Sequence, residues 1–192
     1  MEPMDATQAR DHIEMVERIL VESQQRLCAG GEFFVVWGLY SAAATIVWQL
    51  INNRVAGYSL LWLTGACLLG AVVFSRIRGR QFRLGAARRS LVQREFFNVT
   101  WLAVGLAFVA NVAAFNVFSG WAQAAIWTFA ETLVLFYIGM HGNRRALLGG
   151  IVMIASLVAA NFVGDATAGY VLGAGMLLGY AGFGVAELLS RE

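Results

Sequence analysis

Apolar residues run through this chain in six long stretches, at about Phe33–Leu50, Tyr58–Phe74, Phe96–Phe118, Trp121–Met140, Ala146–Val163 and Thr167–Leu189. Each is at least 17 residues long, enough to cross a hydrocarbon core of about 30 Å at a helical rise of about 1.5 Å per residue. The breaks at Asn52–Gly57, Ser119–Gly120 and Gly164–Ala166 are short, so sequential spans read as antiparallel hairpins. Ahead of the first span the pattern changes. Ala9, Ile13, Val16, Leu20 and Leu27 recur at helical spacing, with Glu14, Glu17, Arg18, Glu22 and Arg26 between them; this predicts an amphipathic helix over residues 5–27. Gly30-Gly31 separates it from the first span. The expected fold is all-α: a polytopic membrane protein with six transmembrane helices in three antiparallel hairpins and an N-terminal amphipathic cytoplasmic helix. Residues 1–31 make the cytoplasmic segment. Residues 32–192 make the bundle, with an Arg-rich cytoplasmic loop at 75–95 that could extend the third span inward through a Leu84, Ala87, Leu91 stripe.

Composition and charge turn this pattern into a topology. The chain is 59% hydrophobic and only 14% charged, where soluble domains carry about 25% charge. All fourteen of its basic residues are Arg. Three fall in the N-terminal segment, seven between Ser75 and Glu95, two at Arg144-Arg145 and one at Arg191, while Arg54 stands alone on the other side. Basic residues in short loops stay in the cytoplasm, which predicts that both termini are cytoplasmic. Trp48, Tyr58, Trp62, Trp121 and Tyr170 then fall at the outer membrane surface, where aromatic belts form. The N-terminal segment mixes acids with arginines and has no apolar core behind a basic start, so no cleaved signal peptide is expected. The exclusive use of Arg is read as a bacterial coding bias, placing the protein in a bacterial inner membrane. A short echo, Glu32-Phe33-Phe34 before Trp37 and Glu95-Phe96-Phe97 before Trp101, opens the first and third spans. It is read as coincidence or shared interface anchoring, with a parallel repeat of hairpins as the alternative.

Candidate chemistry is sparse. Glu131 is the one ionisable residue in the middle of a span. A charge there costs at least about 2.5 kcal/mol, so an intramembrane carboxyl is a functional candidate, expected to carry its proton unless a cation or strong donors lie near. Depth matching across the Ser119-Gly120 turn sets Asn111 level with Thr128, and the same reasoning brings Tyr40, Ser41 and Cys67 near the midplane. Glu131, Asn111, Thr128, Tyr40 and Ser41 are therefore the predicted intramembrane polar site. Gly169, Gly173, Gly175 and Gly179 form two small-xxx-small patterns suited to close helix packing, within the protein or between copies. Arg76, Arg78, Arg80, Arg83, Arg88, Arg89 and Arg94 are placed to meet lipid headgroups or a partner. Glu187 could reach Arg144 or Arg145.

No HExxH, GxSxG, phosphate-binding glycine loop or paired intramembrane acids occur, and Cys28 and Cys67 lack CxxC spacing. No cofactor, metal site or catalytic residue is expected, and positive-inside placement accounts for the arginines without nucleic acid. The function expected is that of a non-enzymatic membrane module acting through association, via its cytoplasmic helix and Arg-rich loop. Its partners would be anionic lipid on the cytoplasmic side, a further copy with a dimer as default, or a cytoplasmic protein. The alternatives are a small proton or cation channel or carrier using Glu131, and a lipid-active membrane enzyme.

Overall fold

The computed structural model describes residues 14–15, 30–85, 91–113, 117 and 120–190, and the side chains of 81–85 and 91–94 are left aside. The predicted amphipathic helix over residues 5–27 therefore lies almost wholly outside the described residues. Among those described, every regular element is helical: α1 (Gly31–Asn52), α2 (Leu60–Gly85), α3 (Leu91–Ala113), α4 (Trp121–Met140), α5 (Arg144–Ala160) and α6 (Asp165–Leu189). Five of the six are long and apolar enough to cross a membrane. The sixth, α5, has 17 residues, or about 26 Å of helix.

The expected loop at 75–95 is mostly helix. α2 runs on through Arg76, Arg78 and Arg80 to Gly85, and α3 already begins at Leu91. Arg is a good helix former and no proline intervenes, so the helix has no local reason to stop where the apolar run does. The structure thus extends the second span, and Leu84 falls in α2 rather than in an inward extension of the third; α3 starts at Leu91, and residues 86–90 lie outside the described residues.

Packing is uneven. Of the window that could lie in a membrane, 56% of α6 is buried inside the protein, against 33% of α1 and of α4, 11% of α3 and 6% of α2. α6 lies against α1 and α5, α4 against α5 and α3, and α2 against α1. The core cluster joins Phe34, Ala42, Leu135, Met153, Met176, Tyr180 and Phe183. Within it Phe34 meets three aromatic rings, with centroids 4.8 Å from Phe183, 5.2 Å from Tyr180 and 6.4 Å from Phe96. One Phe from each half of the sequence echo, Phe34 and Phe96, therefore meet across the bundle.

Glycine lets α6 approach on two sides. A Cβ on Gly38 of α1 would come within 2.6 Å of the Ala181 nitrogen, and one on Gly173 within 2.8 Å of Ile46. Gly169 abuts Gln49 and Gly184 abuts Val35, so this flank of α6 is closed by α1. The other flank faces α5, where Gly179 lies against Met153 and the Gly149 carbonyl and Gly175 against Ser156. All four glycines singled out from the sequence are occupied by neighbours in the same chain. Between these contacts α6 is π-helical over Met176–Ala181.

Gly38→Ala is expected to lower stability by about 1–3 kcal/mol, because a methyl group there meets the backbone of α6. Gly65→Ala, where nothing lies within 4 Å of the added Cβ, should be neutral or stabilising by up to about 1 kcal/mol. Thermal unfolding of the purified proteins in detergent measures both; equal shifts would contradict the packing described.

Candidate functional site

Three polar centres stand at different levels of the bundle. At one end Gln49 of α1, only 2% exposed, sets its carboxamide across the start of α6. Its Nε2 donates to the Asp165 carbonyl at 2.8 Å and its Oε1 accepts from the Gly169 N–H at 3.1 Å. Those two backbone groups are four residues apart, and only a residue without Cβ admits the amide so close. Asn53 extends the seam, donating to the Ala166 carbonyl at 2.8 Å and accepting from Gln49 at 3.0 Å. Trp121 Nε1 donates to Asp165 at 3.1 Å and brings in α4. The sequence reading passed over this centre. Its signal was a lone Gln four residues before Asn53, at the end of an otherwise apolar run.

The opposite ends of the helices carry the charge. Glu32 of α1 takes Arg78 of α2 by both oxygens, with Nη2 and Nε each at 2.8 Å. Glu187 of α6 is 5% exposed, accepts from Asn143 Nδ2 at 3.0 Å and lies 3.8 Å from Arg145 Nη1. Asn143 also caps α5, its side-chain oxygen accepting from the Arg145 and Ala146 amides. On α4, Tyr137 donates to Glu95 at 3.4 Å and packs at a tilt against His141, 4.5 Å between centroids. Arg76 and Arg80 are exposed. The side chains of Arg83, Arg88, Arg89 and Arg94 fall outside the description.

Between these layers lies Glu131 of α4. Ser41 of α1 donates a hydrogen bond to its Oε1. Its Oε2 is buried and has no hydrogen-bond partner among the described residues. From α6 the Tyr180 phenol, itself 8% exposed, lies within electrostatic reach of the carboxyl, and Tyr180 belongs to the π-helical turn. One turn along α1 from Ser41, Thr45 donates to Met176 Sδ at 3.5 Å. No basic residue occurs in α1 or α4, or in α6 through Leu189.

Of the five residues expected at this site, the structure brings Ser41 to Glu131 and sends the others elsewhere. Thr128 is fully buried and donates to the Ala124 carbonyl of its own helix at 2.9 Å. Asn111 donates to the Gln123 carbonyl at 3.2 Å, about two helical turns from Glu131. It lines a shallow hollow between α3 and α4 with Phe108, Val112 and Trp127. Tyr40 packs edge-on against Trp37, 5.8 Å between centroids, and lies near Cys67 of α2. Neighbours along α1 point about 100° apart, which separates Tyr40 from Ser41. Tyr180 was not anticipated, because it reads in sequence as one more aromatic in an apolar run. Among the described residues, no cluster of three or more His, Cys, Asp or Glu could hold a metal ion.

Gln49→Met keeps the length of the side chain and removes its hydrogen bonds. It is expected to cost about 1–2 kcal/mol of stability, on the scale of polar contacts between membrane helices, read as a lower unfolding midpoint. An unchanged midpoint would mean that the amide contributes nothing to docking α6 on α1.

Comparison of the chain with protein-family models, with curated proteins and with solved structures returns no match.

Proposed function

We propose that this protein is a non-enzymatic integral membrane module that acts through association. Six spans pair as three antiparallel hairpins, α1 with α2, α3 with α4 and α5 with α6, and both termini lie on the cytoplasmic side of a bacterial inner membrane. The contacts of Glu32 with Arg78, Tyr137 with Glu95 and Asn143 with Glu187 support that pairing, since each joins the start of one helix to the end of its neighbour. Its partners are anionic lipid, a second copy of the chain, and a cytoplasmic protein reached through the N-terminal segment.

The observation that carries this reading is the way α2 and α3 are held. They bear the Arg-rich segment, yet 6% and 11% of their membrane windows are buried, each chiefly against one neighbour. Trp62, Leu69 and Val73 on α2 and Trp101, Leu106 and Val109 on α3 are more than half exposed. Lipid is as apolar as these side chains, so hydrophobicity alone does not draw such helices inward. Helices so sparsely packed present both an apolar flank to the bilayer and arginines to its surface. Arg76 and Arg80, exposed beyond the apolar part of α2, are placed for phospholipid headgroups.

Native mass spectrometry of the intact protein, of a chain lacking residues 1–29 and of Arg76→Gln/Arg80→Gln tests the reading. The intact protein should give a dimer that retains anionic phospholipid. The double substitution should weaken that retention about 30-fold, at about 1 kcal/mol per basic residue. The truncated chain should lose the dimer or the cytoplasmic partner recovered by crosslinking. Unchanged assembly, partner recovery and lipid retention across all three would refute association as the function.

A further inference from the structure

The association reading leaves Glu131 unused. From the geometry at the junction of α1, α4 and α6 we infer a further site: Glu131 is an exchangeable proton-binding group inside the membrane, with Ser41 and Tyr180 as its neighbours.

Oε1 is served by the Ser41 hydroxyl. Oε2 is buried with no donor to satisfy it among the described residues. As a carboxylate, Glu131 would hold a full charge on one side-chain hydrogen bond, with no cation in its own helix or in α1 and α6 through Leu189. Such a charge is costly in an apolar interior. A proton on Oε2 removes it and leaves the Ser41 bond in place, with Oε1 as the accepting carbonyl. The step is balanced as carboxylate plus hydron giving carboxylic acid.

A metal ion fits the same place poorly. Hard cations take six or more oxygen ligands. The oxygens brought together here are the carboxyl pair and the Ser41 hydroxyl, while Thr128 and Thr132 donate their hydroxyls to carbonyls of α4. The remaining ionisable groups on the packed helices lie at the two ends of the bundle, with Asp165 bonded to Trp121 and Tyr170 by Asn53 at one end, or turn away. Glu32 pairs with Arg78 and Glu187 lies by Arg145; Glu95 meets Tyr137, and Tyr137 packs against His141. Cys67 of α2 lies by Tyr40. Tyr180 is the titratable neighbour from α6, and it stands in the π-helical turn. Turns of that kind recur at functional sites because they displace side chains from the regular helical register. Gain or loss of this proton therefore acts on the one place where α6 departs from α-helical geometry.

The test uses the wild-type protein in liposomes and dicyclohexylcarbodiimide, an apolar reagent that adds to protonated carboxyls. Labelled peptides are mapped by mass spectrometry from mildly acidic to strongly alkaline pH, with and without sodium. The expected result is labelling at Glu131 that ignores sodium and falls about tenfold per pH unit beyond its midpoint. Infrared spectra in light and heavy water should show a carboxylic C=O band that shifts on deuteration, moves in Ser41→Ala and is missing in Glu131→Gln. Protection by sodium at constant pH would make the site a cation site and overturn the inference. A carboxyl that neither labels nor exchanges deuterium would overturn it too, as a sealed structural hydrogen bond. Loss of the dimer with intact proton exchange would instead count against association alone.

Discussion

The backbone contact of α6 with α1 on one flank and α5 on the other is the constraint on which this bundle depends. Water does not drive helices together inside a bilayer, so packing and hydrogen bonds must do so, and both strengthen as backbones approach. Glycine and alanine remove the obstacle. Gly31, Gly38 and Ala42 on α1, and Gly149 on α5, face Gly169, Gly173, Gly179, Ala181 and Gly184 on α6. Small residues on only one helix would not suffice, because an added Cβ at Gly38 or Gly184 would strike backbone atoms of the opposite helix.

Close approach at both flanks also explains where polarity can be tolerated. Gln49 reaches the first turn of α6 because Gly169 leaves room, and Glu187 is buried near the other end because Gly31 and Gly184 bring α1 and α6 together there. Each polar group finds partners on an adjacent helix and so fastens the pair. Thr128, Thr132 and Ser156 follow a different rule: each donates to a carbonyl three or four residues back on its own helix. These groups are satisfied locally and add no specificity between helices. Glu131 belongs to neither class, since one of its oxygens is joined across helices and the other is joined to nothing among the described residues.

Much of the architecture was legible because composition and length act one residue at a time. Six apolar runs, the lone mid-span acid and the two glycine pairs need no knowledge of neighbours. Rotation of each helix about its axis is another matter. Depth matching set Asn111, Thr128 and Tyr40 beside Glu131 by level alone, yet a side chain one position away points about 100° elsewhere. Hence Ser41 reaches the carboxyl and Tyr40 packs on Trp37. Tyr180 was harder still. The π-helical turn over Met176–Ala181 breaks the α-helical repeat, so regular periodicity does not assign its direction. The length of α2 was hidden for a different reason: hydropathy marks where an apolar run ends, whereas a helix of Arg, Gln and Leu continues past that point.

The separation of charge from the midplane bears on what the bundle can do. The Glu32–Arg78 pair lies part-exposed at helix ends, where such pairs contribute little individually, whereas Glu187 is buried and held by Asn143 with Arg145 close by. The value of these contacts is in fixing which ends meet, so that α1 and α6 present consistent faces to α4. That registry brings Ser41 onto the carboxyl and Tyr180 within its electrostatic reach. A shift of α1 by one residue would replace Ser41 with Tyr40 or Ala42, and Ala42 has no side-chain donor. The chemistry available to Glu131 is therefore determined by glycine contacts and end pairs remote from it, and it is restricted to what one donor, one phenol and an unmatched oxygen can stabilise.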